Sequence, residues 1–188
     1  MAADRLPLPP MPSVTPRVLS AASVAAAQFA AVGVSAYLLG LGVGWLAGTP
    51  SERLGAMWAA ISGIVVLQDT LRDTWAATRA RVLGTFIGAL LAAVFLALLP
   101  VTPWGLGLCV GLTVLLCRLC GIADGGRLSS ITVVVVMVIS SMRPELNPFV
   151  NAALRFIEAG CGTGMALAVA LASRAIAGHM RRPPPAAP

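Results

Sequence analysis

Lysine is absent from this chain, histidine and tyrosine occur once each, and charge of either sign is missing from five long stretches. Each absence excludes something. Without lysine, a formal net charge of +6 rests on arginine alone. Such a balance invites a nucleic-acid reading. The arginines flank apolar runs instead of forming one basic face, so no nucleic-acid partner is expected and their placement reads as a topology signal. The single histidine, His179, lies near the C-terminus. No nucleophile–base pair or metal-ligand set is then available in the apolar part, so no enzyme, metal or other cofactor is expected. Cys109, Cys117, Cys120 and Cys161 all fall in or beside apolar runs. Cys117-x-x-Cys120 has redox spacing but no second pair, and reads as small apolar packing.

The charge-free stretches are residues 18–51, 54–68, 82–117, 128–142 and 159–173. A soluble core needs polar helix faces, and these runs have almost none. Hydrophobic residues make up 58% and charged residues 11%, which places the chain in a bilayer. The apolar run after Arg17 is too long for a secretory signal core, so it is expected to stay as a helix.

The expected fold is all-α: a polytopic bundle of six spans over residues 17–177, between Pro-rich, disordered tails at 1–16 and 178–188. The first helix runs over 18–47 and breaks at Thr49-Pro50. The second is short, 54–68, and a polar connector follows over 69–81. Pro100 and Pro103 split the next run into helices near 81–99 and 104–120. A glycine-rich loop follows at 121–127, then a short fifth helix at 128–142, a loop, and a sixth helix near 152–176. The valine run at 133–136 looks like strand, but an isolated strand in lipid leaves its backbone unsatisfied, so helix wins.

Six spans put both termini on one side. With that side cytoplasmic, Arg5, Arg17, Arg72, Arg79, Arg81, Arg118, Arg127, Arg174, Arg181 and Arg182 lie inside. Arg53, Arg143 and, near the membrane edge, Arg155 lie outside, as positive-inside topology requires. A bacterial inner-membrane location with cytoplasmic termini follows as the expectation. Shifting the chain by 74 residues lays Arg81 on Arg155, Gly88 on Gly162 and Ala92 on Ala166. That is the signature of a 3+3 inverted repeat, a common transporter plan.

Polar groups at membrane depth are costly and tend to be functional. The candidates are Gln28, Gln68, Asp69, Arg81, Arg155 and Glu158. Arg155 and Glu158 are spaced to pair on one helix face. Gln68, Asp69, Arg81, Arg155 and Glu158 form the expected substrate-binding set. Arg81 and Arg155 each open a glycine-rich helix in this reading, one near each mouth of the bundle. No charge lies deep in any helix by the same reading. Gly84, Gly88, Gly160 and Gly164 give small helix faces suited to close packing, including self-association.

Trp58-Ala-Ala-Ile-Ser-Gly-Ile-Val-Val-Leu-Gln68, followed by Arg81-Val-Leu-Gly84-Thr85-Phe-Ile-Gly88, resembles the fusaric acid resistance and aromatic acid exporter family. Asn151-x-x-x-Arg155-x-x-Glu158-x-Gly160 resembles a second signature of that module. The resemblance covers about residues 17–173. It implies an exporter of small aromatic or amphipathic organic acids, in some relatives working with a periplasmic adaptor protein. Asp69 departs from the proline or small residue that often follows the glutamine. Larger relatives carry two membrane modules and a soluble domain, so one module here implies a homodimer or higher homo-oligomer. The alternative is a non-transporting membrane scaffold or regulatory subunit of a larger complex.

Overall fold

The computed structural model describes residues 15–48, 52–122 and 125–180, and all its regular structure is helical. The order is α1 (Pro16–Leu46), α2 (Glu52–Val66), α3 (Leu71–Leu98), α4 (Pro103–Leu119), α5 (Gly125–Met142) and α6 (Pro148–Met180). Four of them, α1, α3, α5 and α6, are long and apolar enough to cross a membrane, and α2 and α4 are shorter apolar helices. The sequence expectation named the second and fifth as short. Helix α5 instead starts at Gly125 and reaches 18 residues, while α4 has 17. The expected tails lie mostly outside the described residues. Gly178–Met180 belong to α6 rather than to a tail.

Two expected loops are helix. The polar connector at 69–81 is largely the first turns of α3. Thr70 caps it: its hydroxyl accepts from Asp73 N at 3.1 Å, and the Asp73 carboxylate sits at the positive end of the helix. Arg72, Asp73 and Arg79 are exposed, so a charged extension continues the apolar span without a break. Helix α6 likewise starts four residues early. Asn147 Oδ1 accepts from Phe149 N at 2.9 Å, and Pro148 occupies the first helical position, where no donor is lost.

Packing is inverted relative to a soluble bundle. Many buried positions hold small residues: Ala89, Ala92, Ala93 and Ala152 beside Val133, Val136 and Met137 in one cluster, Ala166 and Ala170 beside Val32, Val66 and Leu67 in another. Large apolar side chains such as Leu38, Leu83, Phe86, Leu108 and Ile157 point outward. Without a hydrophobic drive between helices in lipid, close backbone approach through small residues holds the bundle. A Cβ at Gly88 would lie 2.6 Å from Ser129 O, and one at Gly84 would lie 2.8 Å from Gly125 O. A Cβ at Gly162 would strike Ala59 O.

The contacts repeat across the two halves. Helix α2 packs on α1 and α6, α5 packs on α4 and α3, and α3 packs on α6 at the centre. The Gly63–Gly162 approach couples α2 to α6 as Ser129–Gly88 couples α5 to α3. Helices α2 and α6 run parallel, as do α3 and α5. These pairings are compatible with the expected 3+3 inverted repeat.

Candidate functional site

Arg81 lies about 15 Å along α3 from Leu71, and Arg155 about 10 Å along α6 from Pro148. Neither opens its helix, and neither marks a separate mouth. Because α3 and α6 cross at the centre, both arginines line one cleft, with Trp58 and Ser62 of α2, Thr85 of α3 and Thr132 of α5. Arg81 is 4% exposed, Arg155 7% and Glu158 4%. Charge does lie deep in these helices, contrary to the sequence expectation.

Each arginine is held differently. Arg81 Nη1 donates to Leu128 O at 3.2 Å, and Nη2 donates to Ser62 Oγ at 3.1 Å. Thr132 Oγ1 donates to the same Leu128 carbonyl at 3.3 Å. Arg155 Nη1 lies 2.7 Å from Glu158 Oε2 in the i, i+3 pair that the sequence spacing predicts. The N–H direction misses the oxygen, so this is a close ion pair rather than an aligned hydrogen bond. Glu158 fits because the facing residue on α2 is Gly55, where any side chain would strike the carboxylate.

Several buried donors around the cleft lack a hydrogen-bond partner among the described residues: Trp58 Nε1, Arg81 Nε and Arg155 Nε, together with the Thr85 hydroxyl. Unsatisfied buried polar atoms cost about 1–3 kcal/mol each, more for charged groups. Four around one cleft, two of them guanidinium, is an arrangement that accepts an anion. The free volume is about 10 Å³, room for a single water, so a larger guest needs side chains to move.

One helical turn toward the chain termini, the same three helices α2, α3 and α5 form a wider recess of about 460 Å³, lined by Gln68, Asp73, Arg127 and Leu128 among others. Arg81 donates to the Leu128 carbonyl, so the cation lies against this recess. Gln68 lines this recess and not the cleft. Asp69 lies in neither. It lines a second recess of about 480 Å³ with Gln28, Arg72 and Arg174. The structure thus brings together Arg81, Arg155 and Glu158 of the expected set and leaves Gln68 and Asp69 exposed in the α2–α3 turn.

Ser62, Thr85 and Thr132 were not among the expected site residues. Trp58 and Ser62, and Arg81 and Thr85, each sit one turn apart, a polar spacing within apolar helices that points to a shared face. Gly84 and Gly88 are consumed by packing on α5, so they are not a seam between copies. Gly160 and Gly164 face outward and meet nothing among the described residues. The four cysteines are free, Cys117 buried and Cys120 exposed, and no metal-ligand cluster occurs among the described residues.

Residues 31–169 match a protein-family model described as fusaric acid resistance protein-like. No curated protein and no solved structure matches the chain.

Proposed function

The chain belongs to the fusaric acid resistance protein-like family, a family of membrane transporters, and we infer that it moves small organic anions out through the α2–α3–α5–α6 cleft. The observation that carries this reading is the convergence of Arg81 and Arg155, both buried, on one cleft rimmed by unpartnered donors. Charged groups at this depth persist in membrane proteins chiefly where they serve a path or a site. Recognition is by planar guanidinium, which matches a carboxylate, while Trp58 and the apolar lining suit an aromatic or amphipathic body. The wider recess beside Arg81 gives access from the side that holds the chain termini, assigned as cytoplasmic by the arginine bias. An inner-membrane location and a homo-oligomer, with or without a periplasmic adaptor, belong to the same reading.

The test is efflux of a panel of aromatic acids from cells with and without the protein, followed by Arg81→Lys and Arg155→Lys. Lysine keeps the charge but loses the planar fork. Both variants are expected to insert normally and to lose about tenfold or more in export. Export at the wild-type rate by both would make the arginines structural and remove the cleft from the transport path.

A further inference from the structure

Two guanidinium groups line the cleft, and one carboxylate, Glu158, pairs with Arg155 outside that lining; the balance of the three has a consequence for which anions the cleft takes. Among the described side chains, no other charged group lines it. Arg53, Arg72, Asp73, Arg79 and Arg127 are exposed, and α1 has no charge between Arg17 and Glu52. Glu158 is buried, ion-paired to Arg155, and packed against Gly55. The repeat-equivalent position in the other half is Gly84, which packs on Gly125 O and carries no charge. The packing plan of the fold therefore needs no carboxylate there.

We propose that Glu158 sets the charge capacity of the cleft: by cancelling one of the two arginines it leaves one net positive charge, which selects monovalent anions and rejects divalent ones. The proposal rests on the anion reading above and adds the substrate's valence to it. A monoanion brings the cleft to neutrality. A dianion leaves one uncompensated negative charge away from water, which is costly at any plausible interior dielectric. Glu158 also lies on Arg155 where a guest carboxylate would lie. Any anion that engages Arg155 competes with it.

The test uses the full chain in nanodiscs at pH 8 with two probes of the same ring, terephthalate as dianion and its monomethyl ester as monoanion. Binding is read by calorimetry. The wild type is expected to bind the monoester at least about tenfold more tightly. In Glu158→Gln the cleft gains a second net positive charge, and the preference is expected to vanish or invert. An unchanged preference in that variant overturns the charge-capacity role while leaving the anion reading standing. Binding of neither probe by the wild type overturns the anion reading itself, and the proposal with it. Removing a buried counter-ion can unfold the bundle, so a second pair of variants keeps the question decidable. Arg81→Gln leaves the cleft neutral and is expected to lose monoester binding. Arg81→Gln/Glu158→Gln restores one net positive charge and is expected to regain it. A double variant that binds no better than Arg81→Gln overturns the proposal.

Discussion

Arg81 and Arg155, which a 74-residue shift of the sequence lays on each other, line the same cleft, yet they are held by different means. Arg81 is fixed by neutral partners, the Leu128 carbonyl and the Ser62 hydroxyl. Arg155 is held by an acid one turn along its own helix. Their surroundings pair Gly84 with Gly125 on one side and Glu158 with Gly55 on the other. The two sides differ in charge. A cation satisfied by neutral groups keeps its field, and a cation beside an acid loses most of it. The positive character of the cleft therefore belongs mainly to Arg81, and Arg155 becomes a full cation only when Glu158 leaves it.

That contrast breaks most sharply at Glu158. Alanine there leaves Arg155 buried without its counter-ion, and breaking a buried pair in this way costs about 3–5 kcal/mol. Arg155→Met/Glu158→Ala removes both charges and is expected to recover most of the loss. Unfolding of detergent-solubilised protein in a denaturant series measures both. Equal stability of Glu158→Ala and wild type would mean that the ion pair is not buried in the bilayer-embedded protein.

Smaller effects test the shared scaffold. Gly88→Leu forces a side chain into Ser129 O across the α3–α5 seam, where overpacking costs about 1–3 kcal/mol. Asn151, whose Nδ2 donates to Val136 O at 3.1 Å and Ser140 Oγ at 3.0 Å, ties the start of α6 to α5. Asn151→Ala is expected to cost about 1–2 kcal/mol, since hydrogen bonds between membrane helices are individually weak. A larger loss from Asn151→Ala than from Gly88→Leu would place the fold's hold in polar ties rather than in backbone approach.

The sequence made the spans legible because charge is confined to their ends. Helices α1 and α4 fall within two residues of their expected bounds, since Pro50, Pro100 and Pro103 leave little choice. The Arg155–Glu158 pair was legible from spacing alone. Depth was not. A charge after an apolar run reads as the end of a span, but Thr70-x-x-Asp73 and Asn147-Pro148 are capping signals that place the helix starts well before Arg81 and Arg155. Reading those caps first puts both arginines inside. The fit of Glu158 over Gly55 and the convergence of two helices on one cleft depend on how α2 lies against α6, which no local pattern encodes. The same holds for glycine faces. Gly84-x-x-x-Gly88 and Gly160-x-x-x-Gly164 look alike as strings, and only packing shows that the first is buried and the second is not.

That last difference carries the smallest expected effect on stability and a separate consequence. Gly160 and Gly164 lie on one outward stripe of α6, and Gly107 and Gly111 lie on one of α4, with nothing among the described residues against either. Helices α4 and α6 are not repeat-equivalents, so the inverted plan does not require both to be smooth. Small-residue stripes let two membrane helices come close, and a second copy of this chain is the partner that the homo-oligomer reading supplies. Gly164→Leu is therefore expected to leave the unfolding midpoint of the isolated chain unchanged, because the added side chain enters open space. Cross-linked dimer in nanodiscs is expected to fall while Gly88→Leu, if folded, keeps its dimer. The opposite pattern, loss of dimer in Gly88→Leu alone, would move the seam to α3. A wild type that is monomeric in both detergent and nanodiscs would remove self-association and leave the single module to work alone.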